Sequence, residues 1–161
     1  MSTTQLRALT AAQLGALTGT TLAQLTSSQL GALATSTLLG LGATGLSALS
    51  STQLGALAST QIGALSGAAV GALSQDQLAG LSTTQLAGVT ATQIRSLSVT
   101  ALGNLSTTQV AALSTTQAGS LNSLQVSALS SDQLTALRPV QLGALSTAAI
   151  KGFSGDQLAS L

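Results

Sequence analysis

The side chains of this chain that could do chemistry are hydroxyls and carboxamides. They recur as Ser/Thr–x–x–Gln pairs, as at Ser50 and Gln53, Ser82 and Gln85, and Ser106 and Gln109. At this spacing such a pair is a helix capping box and not a catalytic couple. The hydroxyl accepts from the backbone N–H three residues on, and the carboxamide returns to the cap's own N–H. Other chemistry has no carriers: there is no Cys, His, Tyr, Trp or Glu, so no general base activates the many serines. The three acids, Asp76, Asp132 and Asp156, lie 56 and 24 residues apart and form neither a carboxylate pair nor a metal-ligand set. Calcium binding of the acidic nonapeptide kind needs Asp in each repeat. No enzymatic activity, cofactor, metal or small-molecule substrate is expected.

The pairs belong to a strict period. From Ser2 to Leu161 the chain is twenty consecutive octapeptides, STTQLRAL to SGDQLASL, with no insertion or deletion and an approximate consensus S-T-T-Q-L-G-A-L. With Ser2 as position 1, position 8 is Leu in 18 octads and position 5 is Leu, Ile or Val in 19. Position 7 is Ala, Gly or Ser in 18, position 1 is Ser, Thr or Asn in 16, and position 4 is Gln in 14. Such regularity implies one unit stacked many times: a single array over residues 2–161, without separate domains, whose function belongs to the array.

The elements that position the pairs follow from apolar spacing. It runs 3, 5, 3, 5, whereas strand alternation needs even steps. Leu dominates over Val and Ile, and positions 5 and 8 are i and i+3 neighbours on one helical face. The core residues are then Leu6 and Leu9, Leu14 and Leu17, Leu54 and Leu57, Leu134 and Leu137, with their equivalents elsewhere. The rare residues share the helical phase. Pro139 falls at position 2, the first helical residue, where a missing N–H costs nothing. All three Asp fall at position 3, in the first turn, and Arg7, Arg95 and Lys151 fall at position 6, nearer the C-terminal end.

A new N-cap every eight residues means a new helix every eight residues. In one continuous helix the leucine stripe would drift about 80° per octad and wind onto every face, leaving no single side to bury. The expected fold is therefore a mainly α solenoid, a compact spiral of about twenty short capped helices. Leucines lie inside, positions 2 and 3 outside, and small residues at positions 6 and 7 let backbones approach closely. Two buried aliphatics contribute about 3–6 kcal/mol, too little to order an octad alone, so the repeats must fold together. Position 6 shows no alternation between odd and even octads, so a 16-residue coil is unsupported and each octad is equivalent under a screw. The alternative is a β-solenoid with 16- or 24-residue coils, bulges absorbing the odd spacing.

Composition removes several partners. A net charge of +1 from seven charged residues makes capture of nucleic acid or anionic lipid implausible. Ser, Thr or Gln interrupts every long apolar run, so no membrane span is expected. Mean hydropathy of +0.53 argues against disorder. MSTTQLRAL carries no visible signal peptide. Octads 5 and 6 (residues 34–49) lose both the Gln and the hydroxyl cap and read as a weak joint or tolerated drift. Repeated Gln admits an amide ladder, although capping explains the same residues. Thr at position 3 of ten octads would form a partial hydroxyl column.

The pattern L-[ST]-x-x-Q-[LIV]-x-A-L resembles iterated segments of long, low-charge bacterial surface and secreted proteins of the adhesin-like or haemagglutinin-like kind. The resemblance covers essentially the whole chain. It implies a cell-surface or extracellular location and a stalk or fibre role, and transfers no binding residue. Solenoid ends normally carry atypical polar caps, yet the first and last octads here are nearly consensus. The expectation is that the chain either belongs to a longer array or stacks head-to-tail on copies of itself as a homopolymer. The alternatives are a ligand-binding solenoid for a glycan or ice surface, and a membrane-active or amyloid-like assembly.

Overall fold

A computed structural model of the chain describes residues 2–161. Each octad forms one α-helix of four to six residues, twenty in all, from α1 (Thr3–Arg7) to α20 (Gly155–Ala159). Among the described residues there is no strand, which excludes the β-solenoid.

Two local devices bound the helices, a side-chain N-cap in sixteen of them and a tightened last turn in all twenty. Position 1 takes extended backbone, as Ser50 does at φ −71° and ψ 160°, and its hydroxyl caps the N–H of Gln53 at 3.2 Å. At the far end the N–H of position 8 bonds back to the carbonyl of position 5, as from Leu57 to Leu54 at 3.0 Å. That i→i−3 bond tightens the last turn, and the next extended cap residue stops the helix. No residue among those described has positive φ, so no glycine serves as a left-handed helix terminator. Pro139 opens α18 (Pro139–Leu142), and the three aspartates sit in the first turns of their helices.

The octads wind as a helix of helices. Each helix packs on the third one along, as α6 (Ala43–Ser47) does on α9 (Gly67–Gly71) and α9 on α12 (Ala91–Ser96). Glutamine side chains reach back to the fourth, Gln93 contacting the carbonyls of Ile62 and Leu65. One superhelical turn therefore takes between three and four octads, or 24 to 32 residues.

This winding makes one continuous axial core. Leu6, Leu14, Leu54 and Leu134 at position 5 are 0% exposed, and Leu57 and Leu137 at position 8 are buried beside them. Leu9 and Leu17 are half-buried against the same core, because they lie on the first turn of the spiral. Position 3 is exposed in every octad. Positions 6 and 7 sit where successive turns meet. A Cβ on Gly63 would lie 2.6 Å from the carbonyl oxygen of Gly88, and one on Gly119 2.8 Å from that of Ala144. By contrast, a Cβ on Gly55 meets nothing within 4 Å.

That contrast predicts opposite signs for one chemical change. Gly55→Ala should stabilise the array by about 0.5–1 kcal/mol, since it only restricts the unfolded chain and improves helix propensity. Gly63→Ala should cost about 1–3 kcal/mol, because a neighbouring backbone must move. Urea unfolding of the two variants checks this; a gain at Gly63 would contradict the close approach of the turns.

Candidate functional site

The recurrent polar feature is the position-4 glutamine, and from Gln53 to Gln157 each one works at both ends of its carboxamide. Gln93 is 2% exposed. Its Oε1 accepts from the backbone N–H of Thr90 at 2.7 Å, while its own N–H donates to Thr90 Oγ1 at 3.2 Å. Its Nε2 donates to the carbonyls of Ile62 at 2.9 Å and Leu65 at 2.7 Å. One side chain thus closes the N-terminus of its own helix and takes up the C-terminal carbonyls of a helix four octads earlier. The Thr90 N–H and the Leu65 carbonyl are orphan groups of short helices that would otherwise be desolvated without partners, whereas the Ile62 carbonyl also accepts the Leu65 N–H at 3.1 Å.

The same arrangement recurs at Gln53, Gln85 and Gln109. Gln53 accepts from Ser50 N–H at 2.8 Å and donates to Leu22, Ala23 and Leu25 carbonyls at 3.2, 3.2 and 2.7 Å. Gln85 accepts from Ser82 N–H at 3.0 Å and donates to Leu54 and Leu57 at 2.9 and 2.8 Å. Gln109 accepts from Ser106 N–H at 2.9 Å and donates to Ala79 and Leu81 at 3.0 and 2.8 Å. Ser82 and Ser106 cap the N–H groups of Gln85 and Gln109 at 3.2 and 3.1 Å. Capping and ladder, alternatives in the sequence, are two halves of one group. The sequence held a signal for the second half: a capping box uses only the amide oxygen, which leaves two N–H donors without a stated acceptor.

Departures from the ladder are mostly filled. In octad 5, Thr37 replaces Gln and its Oγ1 donates to the Leu9 carbonyl at 3.0 Å. Ala69, Ala101 and Ala149 occupy position 4 of octads 9, 13 and 19 as buried methyls. Octads 5 and 6 begin at Ala34 and Gly42, neither of which offers a side-chain cap. Octad 18 begins at Arg138, whose Nη2 reaches the Leu113 carbonyl at 3.4 Å and whose Nε reaches Gln141 Oε1 at 3.3 Å, so Arg138 also binds turn to turn.

Among the described residues no group of three or more Asp, Glu, His or Cys is placed to hold a metal, and every buried side-chain polar atom has a hydrogen-bond partner. No described helix is long and apolar enough to cross a membrane. The exposed threonines at position 3 wind with the octads. Those on helices that pack against one another are three octads apart, as Thr84 and Thr108 are.

Three outcomes test the ladder. Gln93→Ala should cost about 2–4 kcal/mol, since it strips the cap of the Thr90 N–H and the one partner of the buried Leu65 carbonyl, while Gln13→Ala, exposed and bonded only within its own octad, should cost at most about 1 kcal/mol. Gln93→Glu puts carboxyl oxygens against carbonyl oxygens, and burial raises the folded-state pKa above the unfolded value. That variant should therefore be most stable below about pH 4 and lose stability as pH rises through the raised pKa, a trend that pH-resolved urea melts would show or refute. Ala58→Ser completes the half-box in which Gln61 already accepts the Ala58 N–H at 2.7 Å, and should stabilise by about 1 kcal/mol in the same assay.

Comparison of the chain with protein-family models, with curated proteins and with solved structures finds no match, so its function is argued from this geometry.

Proposed function

We propose that the protein is structural: a segment or subunit of an extracellular filament or stalk, extended by stacking further octads, including those of a second copy, onto its ends. The observation that carries this reading is the complementarity of the two edges of the array. On the N-terminal edge Gln5 and Gln13 are exposed, and their Nε2 groups donate to no carbonyl of the described residues. On the C-terminal edge, position-5 and position-8 side chains that are buried elsewhere lie open, with Ile150 46%, Leu158 56% and Leu161 55% exposed.

Continuing the same screw brings these edges together. The Gln-to-carbonyl register runs back four octads, so Gln5 of a following copy faces the Leu134 and Leu137 carbonyls, and Gln13 faces those of Leu142 and Leu145. No glutamine of the chain itself reaches these carbonyls. The two edges differ in chemistry, amides on one and leucines with carbonyls on the other. The contact is therefore head-to-tail and does not close, which is the symmetry of a fibre. Low charge and the absence of a catalytic group fit a passive scaffold. Placement outside the cell rests on the resemblance of the repeat grammar to bacterial surface proteins.

Electron microscopy and light scattering over a concentration series test the reading. We expect unbranched rods of constant width that lengthen with concentration, with helical circular dichroism. A Leu158→Asp/Leu161→Asp double variant should keep the helical spectrum and raise the assembly threshold at least about 100-fold, since two carboxylates would have to be desolvated. Monodisperse monomers of the unaltered protein at high concentration would sink the proposal.

A further inference from the structure

Octads 2, 3, 5 and 6 surround a cavity of ≈ 330 Å³, lined by Leu14, Gly15, Leu17, Leu22, Leu41 and Gly45 among others. Its place follows from one missing side chain. Gly45 stands at position 4 of octad 6, where the ladder elsewhere has glutamine. Gln53, one octad later, donates to the carbonyls of Leu22, Ala23 and Leu25. Eight residues before these are Leu14, Gly15 and Leu17, all three in the cavity wall. Thr37, one octad earlier, keeps the same register on Leu9, so the screw is unbroken on either side of the gap.

The gap retains both halves of a carboxamide's complement. No side chain donates to the carbonyls of Leu14, Gly15 or Leu17. Gly42 N–H holds the place of Ser50 N–H, which donates to Gln53 Oε1 at 2.8 Å, and Gly42 and Gly45 N–H find no acceptor among the described residues. The side walls are aliphatic: a Cβ on Gly45 would lie 3.2 Å from Leu22 Cδ1 and from Leu41 Cδ2, so these two flexible side-chain ends must give by a few tenths of an ångström to seat a stem. The cavity opens to solvent, since Gly42 and Thr44 are exposed and Gly45 half-exposed. Alanines 69, 101 and 149 put a buried methyl at the equivalent position of their own octads; Gly45 puts nothing there.

We propose that this cavity is a binding site for a small primary carboxamide, which takes the seat of the missing glutamine side chain. Its NH2 would donate to the Leu14 and Leu17 carbonyls, its oxygen would accept from Gly42 N–H, and its carbon stem would lie between Leu22 and Leu41. The chain itself is the precedent: eleven glutamines, from Gln53 to Gln157, hold a carboxamide in the equivalent cradle.

Propionamide is a glutamine side chain cut at Cβ and is the probe of choice; 2-butanone has nearly the same shape without N–H donors. In a ¹⁵N-resolved titration, propionamide should shift the amide signals of Gly42 and Gly45 with a dissociation constant on the order of 1–10 mM, as expected for five heavy atoms. The ketone should bind at least about ten-fold more weakly. Gly45→Gln should abolish the propionamide response and raise Tm by about 3–6 °C. Equal binding of ketone and amide would reduce the site to a greasy cavity and overturn the proposal. So would an absence of any shift, meaning that only water enters, or a propionamide response that survives in Gly45→Gln. If that variant does not fold, the two-probe comparison on the unaltered protein decides alone.

Discussion

Everything in this structure depends on a carboxamide that reaches in two directions. A helix of four to six residues leaves almost all of its backbone polar groups without intrahelical partners, and a chain built of twenty such helices multiplies the problem. The position-4 glutamine meets it twice. It caps the N-terminus of its own helix through Oε1 and holds the C-terminus of a helix about 28–31 residues earlier through Nε2. Without the second half, the position-8 carbonyl, which no backbone N–H reaches, would face a buried interface unpaired, at a cost of about 1–3 kcal/mol.

The small residues at positions 6 and 7 serve the same end. For a glutamine to bridge turns, the turns must come within a side chain's reach, and a backbone carbonyl of the facing turn lies 2.6 Å from where a Cβ of Gly63 would sit and 2.8 Å from that of Gly119. The leucines at positions 5 and 8 then fill the axis. Hydrophobic burial holds the turns together without direction, while the amide sets which octad meets which. That division explains why Gln93 is as buried as the leucines around it.

The same dependence gives the array its edges and its gaps. At the first turn the amides have no earlier carbonyls, and at the last the leucines have no later turn to cover them. The ladder also lacks a rung at Ala69, Ala101 and Ala149, where a buried methyl stands, but at Gly45 a cavity takes its place. A repeat protein made from nearly identical units shows its individuality mainly where the units depart from one another.

The twenty helices, their start points and the core residues were legible in the sequence, because capping acts between residues three apart and the i, i+3 pairing of leucines acts within one turn. Pro139 and the three aspartates marked the phase for the same local reason. The number of octads per turn was not legible, nor was the destination of the amide N–H groups, nor the cavity beside Gly45. Those depend on contacts across 25 to 31 residues, and an eight-residue period looks identical whichever earlier octad it packs on. Only the tertiary structure, by choosing a winding of between three and four octads, decided which carbonyls each glutamine meets and so which ones are missed.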